Sequence, residues 1–76
     1  MTNKYQFDTA MTIRAEAERL WAEGNDLMSK ARMLWLKNRD TEGNKFWSEG
    51  KRLCDKGTRL WAESNKLAVE VAISQH

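Results

Sequence analysis

The sequence predicts an all-α fold, an antiparallel two-helix hairpin that associates into a four-helix or larger bundle. Two stretches of heptads with large and small apolar positions are separated by five residues, which is typical of paired helices. No segment alternates polar and apolar residues with the period of a strand. A chain of 76 residues buries only about 60% of its unfolded surface, so we expect a further copy or a partner to complete the core.

Seven-residue repeats organise the chain, and three of them are close copies of one another. These copies are RLWAEGN, KFWSEGK and RLWAESN, at residues 19–25, 45–51 and 59–65. Four heptads fill residues 12–39 and four more fill residues 45–72, with DTEGN between them. Internal repetition of this kind is the first feature to interpret in a short chain.

The heptads and the residues that flank them set the expected bounds. We expect one domain, with an N-terminal tail at 1–8, a first helix at 9–39, a turn at 40–44 that holds Gly43, and a second helix at 45–73. Short side-chain oxygens accept hydrogen bonds from the unpaired N–H groups at a helix start. The expected caps are Asp8 or Thr9 for the first helix and Asp40 or Thr41 for the second.

Two heptad positions predict the seam between the helices. The second position is large and apolar: Ile13, Leu20, Leu27, Leu34, Phe46, Leu53, Leu60 and Leu67. The sixth position is mostly small: Ala17, Gly24, Ala31, Asn38, Gly50, Gly57, Ser64 and, as an exception, Val71. Each glycine inside a helix costs about 1 kcal/mol relative to alanine. We therefore expect close approach of the backbones, with leucines of one helix over the glycines of the other.

The third heptad position carries all four tryptophans and predicts a tryptophan flank beside the seam. Antiparallel pairing places Trp35 beside Trp47, Met28 beside Cys54, and Trp21 beside Trp61. Four indoles together exceed the apolar area that monomers usually leave exposed. These six residues are the expected binding or oligomer surface. A second copy is the expected cover, and a nucleotide, a nucleic-acid base or a foreign protein is the alternative.

Charge is distributed unevenly along the chain. The formal net charge is +2, but residues 28–59 sum to +5 and the remainder to −3. A hairpin therefore has a basic loop end and an acidic open end. If two hairpins associate in opposite directions, each basic end lies against an acidic end.

The sequence predicts no catalytic residue, no metal site and no cofactor, so we expect a protein that is not an enzyme. His76 is the only histidine and the last residue, and Cys54 has no second cysteine or histidine at metal-ligand spacing. Basic residues near the loop and along the second helix are candidate anion contacts for nucleic acid or a nucleotide. They are Arg32, Arg39, Lys45, Arg52 and Arg59. A solvated charged surface is the alternative interpretation.

No apolar run reaches the eighteen residues of a membrane span, and the first residues lack the pattern of a signal peptide. The apolar sides are used for helix pairing and the polar sides have mixed charge, which excludes membrane-surface binding. We therefore expect a cytoplasmic protein.

The segments RLWAEGN, RLWAESN and KFWSEGK, within residues 12–72, resemble the tandem LxAEGxK heptads of small proteins of tailed bacteriophages. This resemblance implies an oligomeric accessory protein in the host cytoplasm that occludes or inhibits a host or defence protein. It assigns no site residue. Two alternatives stay open: a nucleotide sponge with ligand between protomers, and single-stranded nucleic-acid binding through the basic stripe and the tryptophans.

Overall fold

Two long helices form the whole fold. The computed structural model describes the backbone of residues 2–74 and the side chains of residues 6–73. Helix α1 (Thr2–Leu36) and helix α2 (Asp40–Ser74) pack against each other as a hairpin. The Cα atoms extend over 58 × 13 × 12 Å, so the protein is a thin rod. The predicted helical hairpin is confirmed.

Helix α1 begins earlier than the sequence predicts. Residues 1–8 were expected to form a tail, but the helix starts at Thr2. The Thr12 Oγ1 hydroxyl donates to the Asp8 carbonyl at 3.0 Å, one turn back along the same helix. Neither Asp8 nor Thr9 is therefore a cap. The helix extends because Ala10, seven residues before Ala17, is only 2% exposed and continues the packing against α2.

The turn lies at 37–39, not at the predicted 40–44. The Arg39 N–H donates to the Leu34 carbonyl at 2.9 Å, and the Asn38 N–H donates to the Trp35 carbonyl at 3.0 Å. These two bonds form a Schellman motif, which requires a left-handed residue at its fifth position. Asn38 supplies it, with φ of 62°. Asparagine takes this conformation more readily than other non-glycine residues.

Helix α2 begins directly after this motif, so the predicted start at residue 45 is wrong. The Gly43 N–H donates to the Arg39 carbonyl at 3.0 Å, which puts Arg39 at the N-cap instead of Asp40 or Thr41. Asp40 and Glu42 lie in the first turn, where negative charge is favourable. Gly43 is buried inside α2, seven residues before Gly50.

The left-handed conformation of residue 38 makes it a sensitive position. We expect Asn38→Val to lower the free energy of unfolding by about 1–2 kcal/mol, because the valine Cβ clashes in this conformation. Asn38→Gly is the matched control and should leave the stability equal or slightly higher. Thermal melts followed by circular dichroism measure both. Equal melting temperatures for the two variants would contradict the role of Asn38 as the helix terminator.

Small residues form the seam between the helices in four facing pairs, and Val71, which is 5% exposed, continues the same row of α2 toward the open end. These pairs are Ala10 with Ser64, Ala17 with Gly57, Gly24 with Gly50, and Ala31 with Gly43. A Cβ atom on Gly24 would lie 2.6 Å from the Gly50 carbonyl oxygen, and a Cβ on Gly50 would lie 2.6 Å from the Gly24 oxygen. The expected close approach of the backbones is thus confirmed. At the open end, Ser64 Oγ donates to the Ala10 carbonyl at 2.8 Å and is fully buried.

The large residues of heptad position two lie beside the seam, not inside it. We call these eight residues, Ile13 to Leu34 and Phe46 to Leu67 at intervals of seven, the leucine flank. Leu20 is 5% exposed, and the other seven are half-buried. The backbones approach too closely for leucines to fit between them, so the side chains point outward. Leu27 does contact Gly50, but Met28, Trp21 and Trp35 also cover glycines, which the sequence did not predict.

Candidate functional site

The tryptophan flank lies on the opposite side of the seam from the leucine flank, and its indoles pair across the helices as predicted. The ring centroids of Trp21 and Trp61 are 5.1 Å apart with an interplanar angle of 37°. Those of Trp35 and Trp47 are 5.3 Å apart at 40°. Tilted pairs at this separation stabilise by about 0.5–1.5 kcal/mol beyond their burial. Each pair joins α1 to α2 within one chain.

The α1 tryptophans also donate hydrogen bonds to α2. Trp21 Nε1 lies 3.1 Å from the Cys54 carbonyl and 3.2 Å from Thr58 Oγ1. Trp35 Nε1 donates to Asn44 Oδ1 at 3.1 Å. Asn44 directly follows Gly43, and Thr58 directly follows Gly57; in each case the α1 indole lies over that glycine. The α2 tryptophan of the ring pair comes three residues after the acceptor. The motif G-[N/T]-x-x-W therefore occurs twice in α2, and each copy contacts one tryptophan of α1.

Between the two tryptophan pairs, Met28 and Cys54 meet the seam at the crossing of Gly24 and Gly50. A Cβ on Gly50 would lie 2.8 Å from Met28 Cγ, and a Cβ on Gly24 would lie 2.5 Å from Cys54 Sγ. Both side chains therefore fill the space that the glycines leave. The Cys54 thiol also donates weakly to Asn25 Oδ1 at 3.9 Å. This arrangement explains Cys54 as a packing residue.

Two guanidinium groups stack on the tryptophans from α1. Arg14 Cζ lies 4.5 Å from the centroid of Trp61, and Arg32 Cζ lies 5.7 Å from that of Trp47. Arg14 Nη2 in addition donates to Asn65 Oδ1 at 2.6 Å. Each α2 tryptophan thus contacts another indole and a cation. Both contacts compete with any base or nucleotide that would stack there.

The predicted anion contacts do not converge on one site. Arg32 stacks on Trp47, whereas the Arg39 guanidinium pairs with the Glu42 carboxylate at 2.7 Å. Lys45 and Arg52 border a shallow groove on the outer side of α2 that also contains the Glu49 carboxylate. Arg59 is exposed one heptad further along the same stripe. The structure separates these residues between the turn, the tryptophan flank and the outer surface.

The leucine flank is a second half-buried apolar surface, similar in exposure to the tryptophan flank, and sequence reasoning missed it by assigning these residues to the seam. Near the loop it forms a hollow of about 250 Å³ lined by Lys30, Met33, Leu34 and Phe46. Met33 is 56% exposed there. A signal was present in the sequence, because eight large residues are too many for a seam already filled by small ones.

Charged side chains at heptad position five border the leucine flank. They are Glu16, Glu23 and Lys30 in α1, followed by Lys37 at the start of the turn. Arg19 forms ion pairs with the Glu16 and Glu23 carboxylates, at nitrogen–oxygen distances of 2.5 Å and 3.4 Å. The hydrogen bond from Arg19, together with the charges of Arg19 and Lys56, lowers the pKa of Glu16. The Glu16 carboxylate is therefore charged at neutral pH.

The described residues offer no cluster of three or more histidine, cysteine, aspartate or glutamate side chains that would hold a metal ion. Neither helix contains, within its described part, an apolar stretch of the length that a membrane crossing needs. The two flanks are therefore the features that carry a functional hypothesis. Comparison with protein-family models, with curated proteins and with solved structures found no match to the chain.

Proposed function

We propose that this chain is a non-enzymatic binding protein that works as an oligomer and covers a surface of another protein. The observation that carries the proposal is the half-exposed leucine flank of a rod whose tryptophans are already paired within the chain. In line with the resemblance to phage heptad proteins, the partner is a host or defence protein of the bacterial cytoplasm.

The apolar and charged composition of the leucine flank favours a protein as its partner. Apolar side chains with a charged border are typical of protein interfaces. The exposed Met33 beside Leu34 and Phe46 supplies a flexible apolar contact, and methionine adapts readily to the shape of a partner. We assign docking to the leucine flank instead of the tryptophan flank because the indoles already make contacts within the hairpin.

Binding of nucleotides or single-stranded nucleic acid has weaker support. Stacking needs a free ring face, but Trp61 already contacts Trp21 and Arg14. Trp47 is engaged in the same way by Trp35 and Arg32. Of the other candidate anion contacts, Arg39 pairs with Glu42 at the turn, and Lys45, Arg52 and Arg59 lie on the outer surface of α2.

Affinity capture with matched surface variants tests this proposal. The bait is the immobilised chain in a bacterial lysate, compared with Met33→Glu on the leucine flank. Met33 is 56% exposed, so its replacement leaves the fold intact. We expect a retained protein whose binding falls at least about tenfold with Met33→Glu, equivalent to a loss of roughly 1.4 kcal/mol. Quantitative mass spectrometry measures the retained protein.

Leu36→Glu is the control, because Leu36 lies three residues away, is 81% exposed and belongs to the outer surface. It should retain the same protein as the unmodified chain. Retention that is equal on all three baits would contradict docking through the leucine flank. Quenching of tryptophan fluorescence by nucleotides, or by an oligonucleotide in low salt, would support the alternatives instead.

A further inference from the structure

We infer that the leucine flank binds a second copy of this chain in the opposite direction, with α1 of one copy against α1 of the other. The inference rests on the proposed function, because it takes the leucine flank as the docking surface. It goes further by naming what covers the flank when the other protein is absent, together with the orientation and the charge pairs, so that the second copy and the other protein compete for one surface. The evidence is the order of charges along α1 and the exposed apolar residues of the flank.

The position-five charges of α1, together with Lys37 in the turn directly after it, are complementary to themselves when the helix is reversed. Their order along the chain is Glu16, Glu23, Lys30, Lys37. In an antiparallel pair, Glu16 faces Lys37 of the second copy and Glu23 faces its Lys30. Each pair occurs twice because the dimer has a two-fold axis. A parallel pair would instead set carboxylates against carboxylates and lysines against lysines.

The charges within one hairpin leave these groups available for such contacts. Arg19 lies near both carboxylates, yet Glu16 and Glu23 remain 43% and 50% exposed. Lys30 and Lys37 form no ion pair with any of the described residues. Lys56 of α2 also acts on Glu16, but both carboxylates keep enough exposure to contact a second copy's lysines.

The charges of α2 do not set the direction. In the register that pairs Glu23 with Lys30, residues 38–57 lie in the overlap, so Glu63 and Glu70 lie beyond it. Glu49 and Lys56 lie within the overlap and offset each other. The charges along α1 therefore determine the orientation, and screening by salt weakens their attraction.

The overlap of the two flanks includes an apolar contact near the loop. The register that pairs Glu23 with Lys30 overlaps residues 17–36 of the two α1 helices, a length of about 30 Å. With the 13 Å width of the rod this is about 400 Å² on each copy, at the low end of specific interfaces. The antiparallel register that pairs Glu23 with Lys30 brings the Met33 and Leu34 side chains near Leu20 of the second copy. The hollow lined by Met33, Leu34 and Phe46 is then covered.

Sedimentation equilibrium of charge variants tests the inference. We expect the unmodified chain to reach twice its 8.9 kDa mass, with association that weakens as salt rises. Lys30→Glu with Lys37→Glu makes the α1 row wholly acidic and should weaken dimerisation at least about tenfold. Glu16→Lys with Glu23→Lys makes it wholly basic and should do the same. All four changes together restore the complementary order and should restore the dimer.

The control variant, Lys51→Glu with Arg59→Glu, changes the net charge by the same amount as the two-lysine variant but lies outside the leucine flank. It should dimerise like the unmodified chain, and circular dichroism verifies that every variant is helical. A monomer at all concentrations would overturn the inference, while flank-dependent capture of another protein would still uphold the proposed function. A dimer that is unaffected by the four α1 charges, or not restored by the fourfold exchange, would also overturn the inference.

Discussion

Gly50→Ala is expected to lower the free energy of unfolding by about 1–3 kcal/mol, the usual cost of overpacking. The new Cβ would lie 2.6 Å from the Gly24 carbonyl oxygen and 2.8 Å from Met28 Cγ. Methionine can move, but the α1 backbone cannot yield without separating the helices. For a domain of this size each kcal/mol lowers the melting temperature by about 4–8 °C. A thermal melt followed by circular dichroism measures the change.

The direction of the stability change distinguishes a glycine packed against the other helix from an exposed one. In an exposed helix, Gly→Ala stabilises by about 1 kcal/mol because alanine has the higher helix propensity. Ser48→Ala, an exposed substitution two residues away, is the control and should leave the melting temperature equal or slightly higher. Gly57→Leu should destabilise further, since even its Cβ would lie 2.9 Å from the Ala17 oxygen. A Gly50→Ala protein as stable as the original would show that the helices are not held at this distance.

Trp21→Ala is expected to destabilise the hairpin by about 2–4 kcal/mol, because the indole is half-buried and fully buried tryptophans lose roughly 3–5 kcal/mol. The change removes the ring pair with Trp61, the packing over Gly57 and the hydrogen bonds to the Cys54 carbonyl and Thr58. Such a loss is a large part of the stability of a small domain. Urea denaturation measures it.

A pair of phenylalanine variants separates the hydrogen bond from the ring contact. Trp21→Phe keeps an aromatic ring but loses the donor, whereas the Trp61 indole N–H makes no bond to any described residue. We expect Trp21→Phe to cost about 0.5–1.5 kcal/mol more than Trp61→Phe, the net value of one hydrogen bond. If the two variants are equally stable, the bonds from Trp21 contribute nothing to holding the helices together.

Much of the fold follows from the heptad pattern. The seven-residue recurrence of the tryptophans predicts the pairs of Trp21 with Trp61 and Trp35 with Trp47, because antiparallel helices bring equivalent positions together. The phase of Gly24, Gly50 and Gly57 predicts a close approach of the backbones. Both predictions depend only on helix periodicity, which the sequence displays directly.

The turn and the starts of the helices were not predicted correctly, because they depend on local choices that the pattern leaves open. Gly43 in DTEGN suggested a turn, yet its spacing of seven from Gly50 is the better guide to its place in α2. Asn38 adopts the left-handed conformation that glycine usually supplies at a helix end, with φ of 62°. At the other end of α1, the packing of Ala10 outweighs the capping tendency of Asp8 and Thr9.

The candidate surface was only partly predictable, for a geometric reason. The heptads place leucines next to the small residues but do not state how far apart the helices lie. That distance decides whether Leu27 and its equivalents fill the seam or flank it. Likewise, the sequence shows arginines near tryptophans, but only the structure shows that Arg14 and Arg32 lie on the rings.

The central claim is that the tryptophans hold one hairpin together and leave the leucine flank for a partner. Indoles whose centroids lie 5.1 and 5.3 Å apart should couple electronically and give a far-ultraviolet circular-dichroism couplet. We expect this couplet to be independent of protein concentration and to persist in the Lys30→Glu, Lys37→Glu variant. A couplet that disappears on dilution, while the helical signal remains, would show that the tryptophans pair between chains and would contradict the account.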